Sequence, residues 1–139
     1  MSDFYRYFKE NMDGLGLPAP ETLFGNLQMA VGNAAILLSH IDKFGKSVKV
    51  GELIGAGTRL ERLGMIATLS ATFYVGAIIG SIAVATGRTL SGGTSIPDAL
   101  LVANRHELNR PWLVSVFYRA PNIFQRSDAG KKMLRFQAL

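Results

Sequence analysis

The chain has 139 residues and a net charge of +5, with 48% hydrophobic but only 18% charged residues, whereas soluble domains usually hold about 25% charged residues. That is enough for one domain and hardly for two. Cysteine is absent, which excludes disulfides, thiol catalysis and cysteine-based metal sites.

The first residues, MSDFYRYFKENMDG, mix acids with bases. They lack the basic start and apolar run of a secretory signal, so export would follow a route that ignores signal peptides. Phe4, Tyr5, Tyr7 and Phe8 form the apolar side of one short helix. They suit either a membrane interface or packing within a fold. Gly14, Gly16, Pro18 and Pro20 then predict a loop.

Residues 22–41, TLFGNLQMAVGNAAILLSHI, form an uncharged run. Gly25-Asn26, Gly32-Asn33 and Ser39-His40 recur seven apart and so share one helical face. Polar groups in a spanning helix face a partner or water rather than lipid. Asn26, Asn33 and His40 therefore read as a lumen face, or as the wet side of an ordinary amphipathic helix. Residues 43–62 are a basic connector in which Lys43, Lys46, Lys49, Arg59 and Arg62 outnumber Glu52 and Glu61. Such a segment suits attraction to anionic headgroups, or a solvated turn and helix.

Residues 63–87, LGMIATLSATFYVGAIIGSIAVATG, carry no charge. As a helix they would reach roughly 37 Å, against a bilayer hydrocarbon core of about 30 Å. Thr68, Thr72, Gly76 and Gly80 fall every fourth residue, a small-residue ridge that lets a second helix approach closely. Ala77, Ser81 and Ala85 form a second ridge beside it. The strongly apolar residues favour insertion by about 3–5 kcal/mol in total before Gly, Ser and Thr subtract from it. Insertion is thus marginal, and the segment can also exist wrapped by its own domain or by a carrier. The alternative is the buried central helix of a bundle, but length and glycine order favour the membrane reading.

Beyond it, RTLSGGTSI reads as a polar turn. Ser95 is placed to cap a short amphipathic helix with Pro97 just inside its start. PWLVSVFYRAP, between two prolines, is too short to span as a helix and reads as a strand or an interfacial segment. The tail carries Arg126, Lys131, Lys132 and Arg135 among Phe124, Met133, Leu134 and Phe136. It is a basic amphipathic end suited to anionic lipid.

Catalytic chemistry is not visible. His40 and His106 lack ligand spacing, and Glu52 and Glu61 do not share a helical face. Gly55-Ala56-Gly57 is not followed by the Lys-Ser/Thr pair of a phosphate loop. The expectation is no enzyme, no cofactor and no metal. Nucleic acid is not an expected partner either, because no binding motif accompanies the basic residues.

The sequence therefore predicts an all-α protein with two apolar helices, about 22–41 and 63–87, able to form a membrane hairpin. The hairpin, 22–87, lies between an N-terminal segment, 1–21, and a basic C-terminal region, 88–139. Inserted copies would oligomerise through Thr68, Thr72, Gly76 and Gly80. In these features (both uncharged runs, the Gly76/Gly80 spacing, no cysteine and no leader) the chain resembles small pore-forming antibacterial effectors of the bacterial type VI secretion system. The resemblance implies a secreted toxin that travels with a secretion-tube or chaperone carrier. It would insert into a target-cell inner membrane, dissipate ion gradients there, and be neutralised in the producer by a cognate immunity protein. Two other classes fit the residues: a resident small membrane scaffold, and a non-enzymatic helical interaction module with buried apolar helices.

Overall fold

The computed structural model describes residues 3–55, 68–87 and 95–120. It is mostly helical, and its described residues contain no strand beyond one isolated bridge.

Helix α1, Asp3–Gly14, buries Tyr5, Phe8, Asn11 and Met12, which recur at helical spacing on one face. Phe8 lies between Phe4 and Phe24, with ring centroids 5.6 and 5.2 Å away. The helix stops where Gly16 adopts φ +74°. There the Leu17 N–H donates to the Met12 carbonyl and the Gly16 N–H to that of Asp13, both at 3.0 Å. This pairing satisfies the last carbonyls and needs a left-handed residue, for which glycine is suited.

The predicted helix 22–41 is two helices. The short α2, Glu21–Phe24, is separated from α3, Leu27–Phe44, by a bend at Gly25-Asn26. Asn26 has extended backbone, and its side chain accepts the Met29 N–H at 2.8 Å. It is therefore the N-cap of α3 and not a position on its face. Ala30, Ala34, Leu37, Leu38 and Ile41 form the buried stripe of α3. Gly45, at φ +100°, ends it.

After α4, Val50–Gly55, the chain returns at residue 68. Residues 68–70 are not helical. They meet the connector instead: Val50 N–H donates to the Leu69 carbonyl at 2.9 Å and Ala71 N–H to that of Val48 at 3.0 Å. Helix α5, Ala71–Gly87, begins at this bridge. Its start lies eight positions after the expected one, and residues 63–67 lie outside the described residues.

Every residue of α5 from Tyr74 to Ala85 is buried. A helix apolar on all sides requires cover on all sides, and α1, α3, α6 (Ile96–Arg105) and α7 (Leu113–Arg119) pack against it. Ser95 caps α6 in a reciprocal box with Asp98, with Pro97 in the first turn. The segment expected as a strand or interfacial stretch is the helix α7, which buries Leu113 and Phe117. The buried apolar residues form a cluster running from Phe8 to Phe117 with α5 at its centre.

Candidate functional site

Helix α5, which carries the expected ridge, is enclosed by contacts from α1, α3, α6 and α7. Its polar groups are few, and each is placed. The Ser81 hydroxyl meets Asn11 of α1, whose amide Nδ2 donates to it at 2.8 Å; both residues are fully buried. Tyr74, also fully buried, donates its hydroxyl to the Pro18 carbonyl at 2.8 Å. Tyr5 does the same to the Ala19 carbonyl at 2.7 Å. These tyrosines supply donors to a proline-rich connector that no helical ladder serves. Thr86 donates back to the Ile82 carbonyl at 2.8 Å. Among the described residues, every buried side-chain nitrogen and oxygen has a hydrogen-bond partner.

The expected ridge is divided. Thr68 precedes the helix and is exposed, and Thr72 is half-buried in the first turn, 2.9 Å from the Ser70 hydroxyl. Gly76 and Gly80 are buried within the bundle. A Cβ on Gly76 would stand 2.6 Å from Val116 Cγ1 and 3.9 Å from Leu113 Cδ1. Gly76 is thus the notch that admits α7, so in this fold its close contact is intramolecular.

The expected lumen face is also divided. Asn26 is a cap, as above. Asn33 donates Nδ2 to the Leu23 carbonyl at 2.6 Å and so binds α2 to α3. His40 stacks on Phe44 with centroids 6.2 Å apart. Asn33 and His40 both lie along α3, seven residues apart, whereas Asn26 caps its start. Lys43, Lys46 and Lys49 are all exposed. Arg59, Arg62, Arg126, Lys131, Lys132 and Arg135 lie outside the described residues.

Sequence reasoning did not find Asn11. Its signal was a polar residue in register with Tyr5, Phe8 and Met12. It also did not find the pair between α3 and the α6–α7 connector. Arg110 Nε donates to Asp42 Oδ1 at 3.0 Å and Nη2 to Oδ2 at 2.8 Å. These charge-assisted bonds hold the Asp42 carboxyl below the usual range. Residues 68 apart in sequence leave no local trace of such a pair.

Among the described residues no group of three or more His, Asp or Glu side chains is placed to hold a metal. None of their helices is long and apolar enough to cross a membrane. Comparison with known proteins adds no relative. The chain matches no protein-family model, no curated protein and no solved structure.

Proposed function

We propose that the protein is a membrane-inserting antibacterial toxin. It stores its most apolar helix inside a helical bundle and releases it into the inner membrane of a target cell. Copies assemble there into small ion-conducting pores that dissipate the membrane potential. A carrier and a cognate immunity protein belong to the same proposal and rest on the resemblance to type VI effectors.

The observation that carries the reading is the all-round burial of α5 from Tyr74 to Ala85. Tyr74, Val75, Ile78, Ile79, Ile82 and Val84 are its large buried side chains. Burial of each contributes about 1.5–3 kcal/mol. Their sum is comparable to the whole stability of an ordinary domain, about 5–15 kcal/mol. Water alone therefore cannot receive α5; another apolar medium can. Two of its hydroxyls suit that medium, since Thr86 already bonds within its own helix and Ser81 can bond the carbonyl one turn back once Asn11 leaves.

The 17 residues of α5 reach about 25 Å, short of the roughly 30 Å hydrocarbon core. Spanning requires a longer helix. Breaking the Val50–Leu69 and Ala71–Val48 main-chain bonds frees Leu69 and Ser70 to join α5, and the sequence continues uncharged back to Arg62. Each bond contributes about 1 kcal/mol net, a small barrier beside the burial of the helix.

The test is potential-sensitive dye fluorescence on anionic liposomes carrying a potassium gradient. Rapid depolarisation on adding protein is expected, without release of a large trapped dye. An intact potential with vesicle-bound protein would sink the reading. A second reading, a helical interaction module, is favoured by the outer face of α3. Gln28, Met29, Gly32, Ala35, Ile36 and Ser39 there are exposed and uncharged. Protein that stays in solution beside vesicles and leaves the potential intact would favour that reading.

A further inference from the structure

The turn after α3 combines exposed charge with an exposed aromatic ring. Phe44, the last residue of α3, is 47% exposed. Lys43 reaches over its ring, with Nζ 5.7 Å from the centroid, and the His40 ring stacks with it at 6.2 Å. Gly45 then turns the chain at φ +100°. Val48 and Val50 point into the core, and extended backbone alternates its sides, so Lys49 is forced outward. Lys46, Ser47 and Lys49 are exposed. No acid lies between Asp42 and Glu52, and Asp42 is held by Arg110. The result is a ring flanked by three lysines on one short turn.

We infer that this turn, Lys43–Lys49, is the docking tip by which the protein first engages an anionic lipid surface, with Phe44 entering the headgroup boundary. The inference rests on the membrane reading above and names its first contact. An aromatic ring partitions into the interface, and each lysine near an anionic surface adds attraction. A folded polyanion offers the lysines partners but gives the ring no apolar medium. The tip is continuous with residues 48–50, which hold the start of α5 through the Val48 and Val50 main-chain bonds. Lipid that orders this turn acts directly on the bridge that limits α5.

The experiment is co-sedimentation of the full chain with vesicles of phosphatidylglycerol and phosphatidylethanolamine, and with neutral phosphatidylcholine vesicles. The native chain is expected to bind the anionic vesicles. The triple variant Lys43→Gln, Lys46→Gln, Lys49→Gln is expected to bind roughly 100-fold more weakly, with an unchanged circular dichroism spectrum. A second variant, Phe44→Trp with Trp112→Phe, places the only indole at the tip. Its emission is expected to shift to the blue on anionic vesicles and to be quenched by brominated lipid. Unchanged binding of the triple variant, or an indole that stays in water, would overturn the inference. So would binding to single-stranded RNA with none to vesicles. Docking through the tip with an intact potential would keep this inference and sink the pore. Leakage with unchanged binding of the triple variant would do the reverse.

Discussion

Gly76 carries a specific packing constraint. Alanine there gains helix propensity but drives its methyl group against Val116, whose branched side chain has little freedom to yield. Gly76→Ala is expected to destabilise by about 1–2 kcal/mol, measured by denaturant unfolding. Combined with Val116→Ala, it is expected to cost about 1 kcal/mol less than the two single changes together. An additive cycle would mean that the notch is not the constraint. Gly76→Leu would disrupt the fold itself, so it cannot serve as a clean probe of assembly in the membrane. The Asn11–Ser81 pair makes a different prediction. Ser81→Ala removes one of the bonds of a fully buried amide and is expected to cost about 1–3 kcal/mol by the same measurement. At the end of α6, Glu107 holds φ +60°. The Leu108 N–H to Ala103 bond, at 2.7 Å, and the Glu107 N–H to Asn104 bond, at 3.2 Å, close a motif that glycine usually serves. Glu107→Gly is expected to raise stability by about 0.5–1 kcal/mol.

The helices were legible in the sequence where local chemistry marks their limits. Ser95 and Pro97 announce α6, and Gly16 closes α1. Where a boundary depends on distant chain, the sequence pattern misleads. The apolar run from Leu63 is continuous as text, yet α5 begins only at Ala71, because the main chain of 48–50 takes the groups that an earlier helical turn would use. The seven-residue spacing of Asn26, Asn33 and His40 suggests a shared face, yet Asn26 starts α3 rather than lying along it, since Asn caps helices better than it continues them. PWLVSVFYRAP is ambiguous because a short apolar run fits strand or helix equally until its cover is known; the notch at Gly76 supplies that cover. The clamp between α3 and the α6–α7 connector can be tested by pH. Pairing with Arg110 lowers the folded-state pKa of Asp42, so its contribution is complete above the unfolded value near 4 and is lost as pH falls through the folded value. Both side chains are partly exposed, which limits the contribution to about 0.5 kcal/mol. Arg110→Ala should cost about that much at pH 7 and nothing near pH 2 by chemical denaturation; an equal loss at both pH values would assign Arg110 a role other than the ion pair.

Taken whole, the molecule places the Tyr74–Ala85 stretch of its apolar helix where no face of it meets water. The helices around α5 are amphipathic and divide their surfaces between it and solvent: α1 by its Tyr5, Phe8, Asn11 and Met12 face, α3 by its Ala30 to Ile41 stripe. Such an arrangement is what any buried core helix needs, and it is also what storage of a membrane helix needs. Release separates the two. If α5 enters lipid, α1 must part from it, and the Asn11–Ser81 bond must open. The chain has no cysteine of its own, so Asn11→Cys with Ser81→Cys installs one disulfide and no other. The decisive measurement is depolarisation of potassium-loaded anionic liposomes by this variant, oxidised and then reduced, beside the native chain. The native chain and the reduced variant are expected to collapse the potential, and the oxidised variant is expected to leave it intact. Equal depolarisation by the oxidised and reduced forms would contradict release, because α5 would then act without leaving its cover.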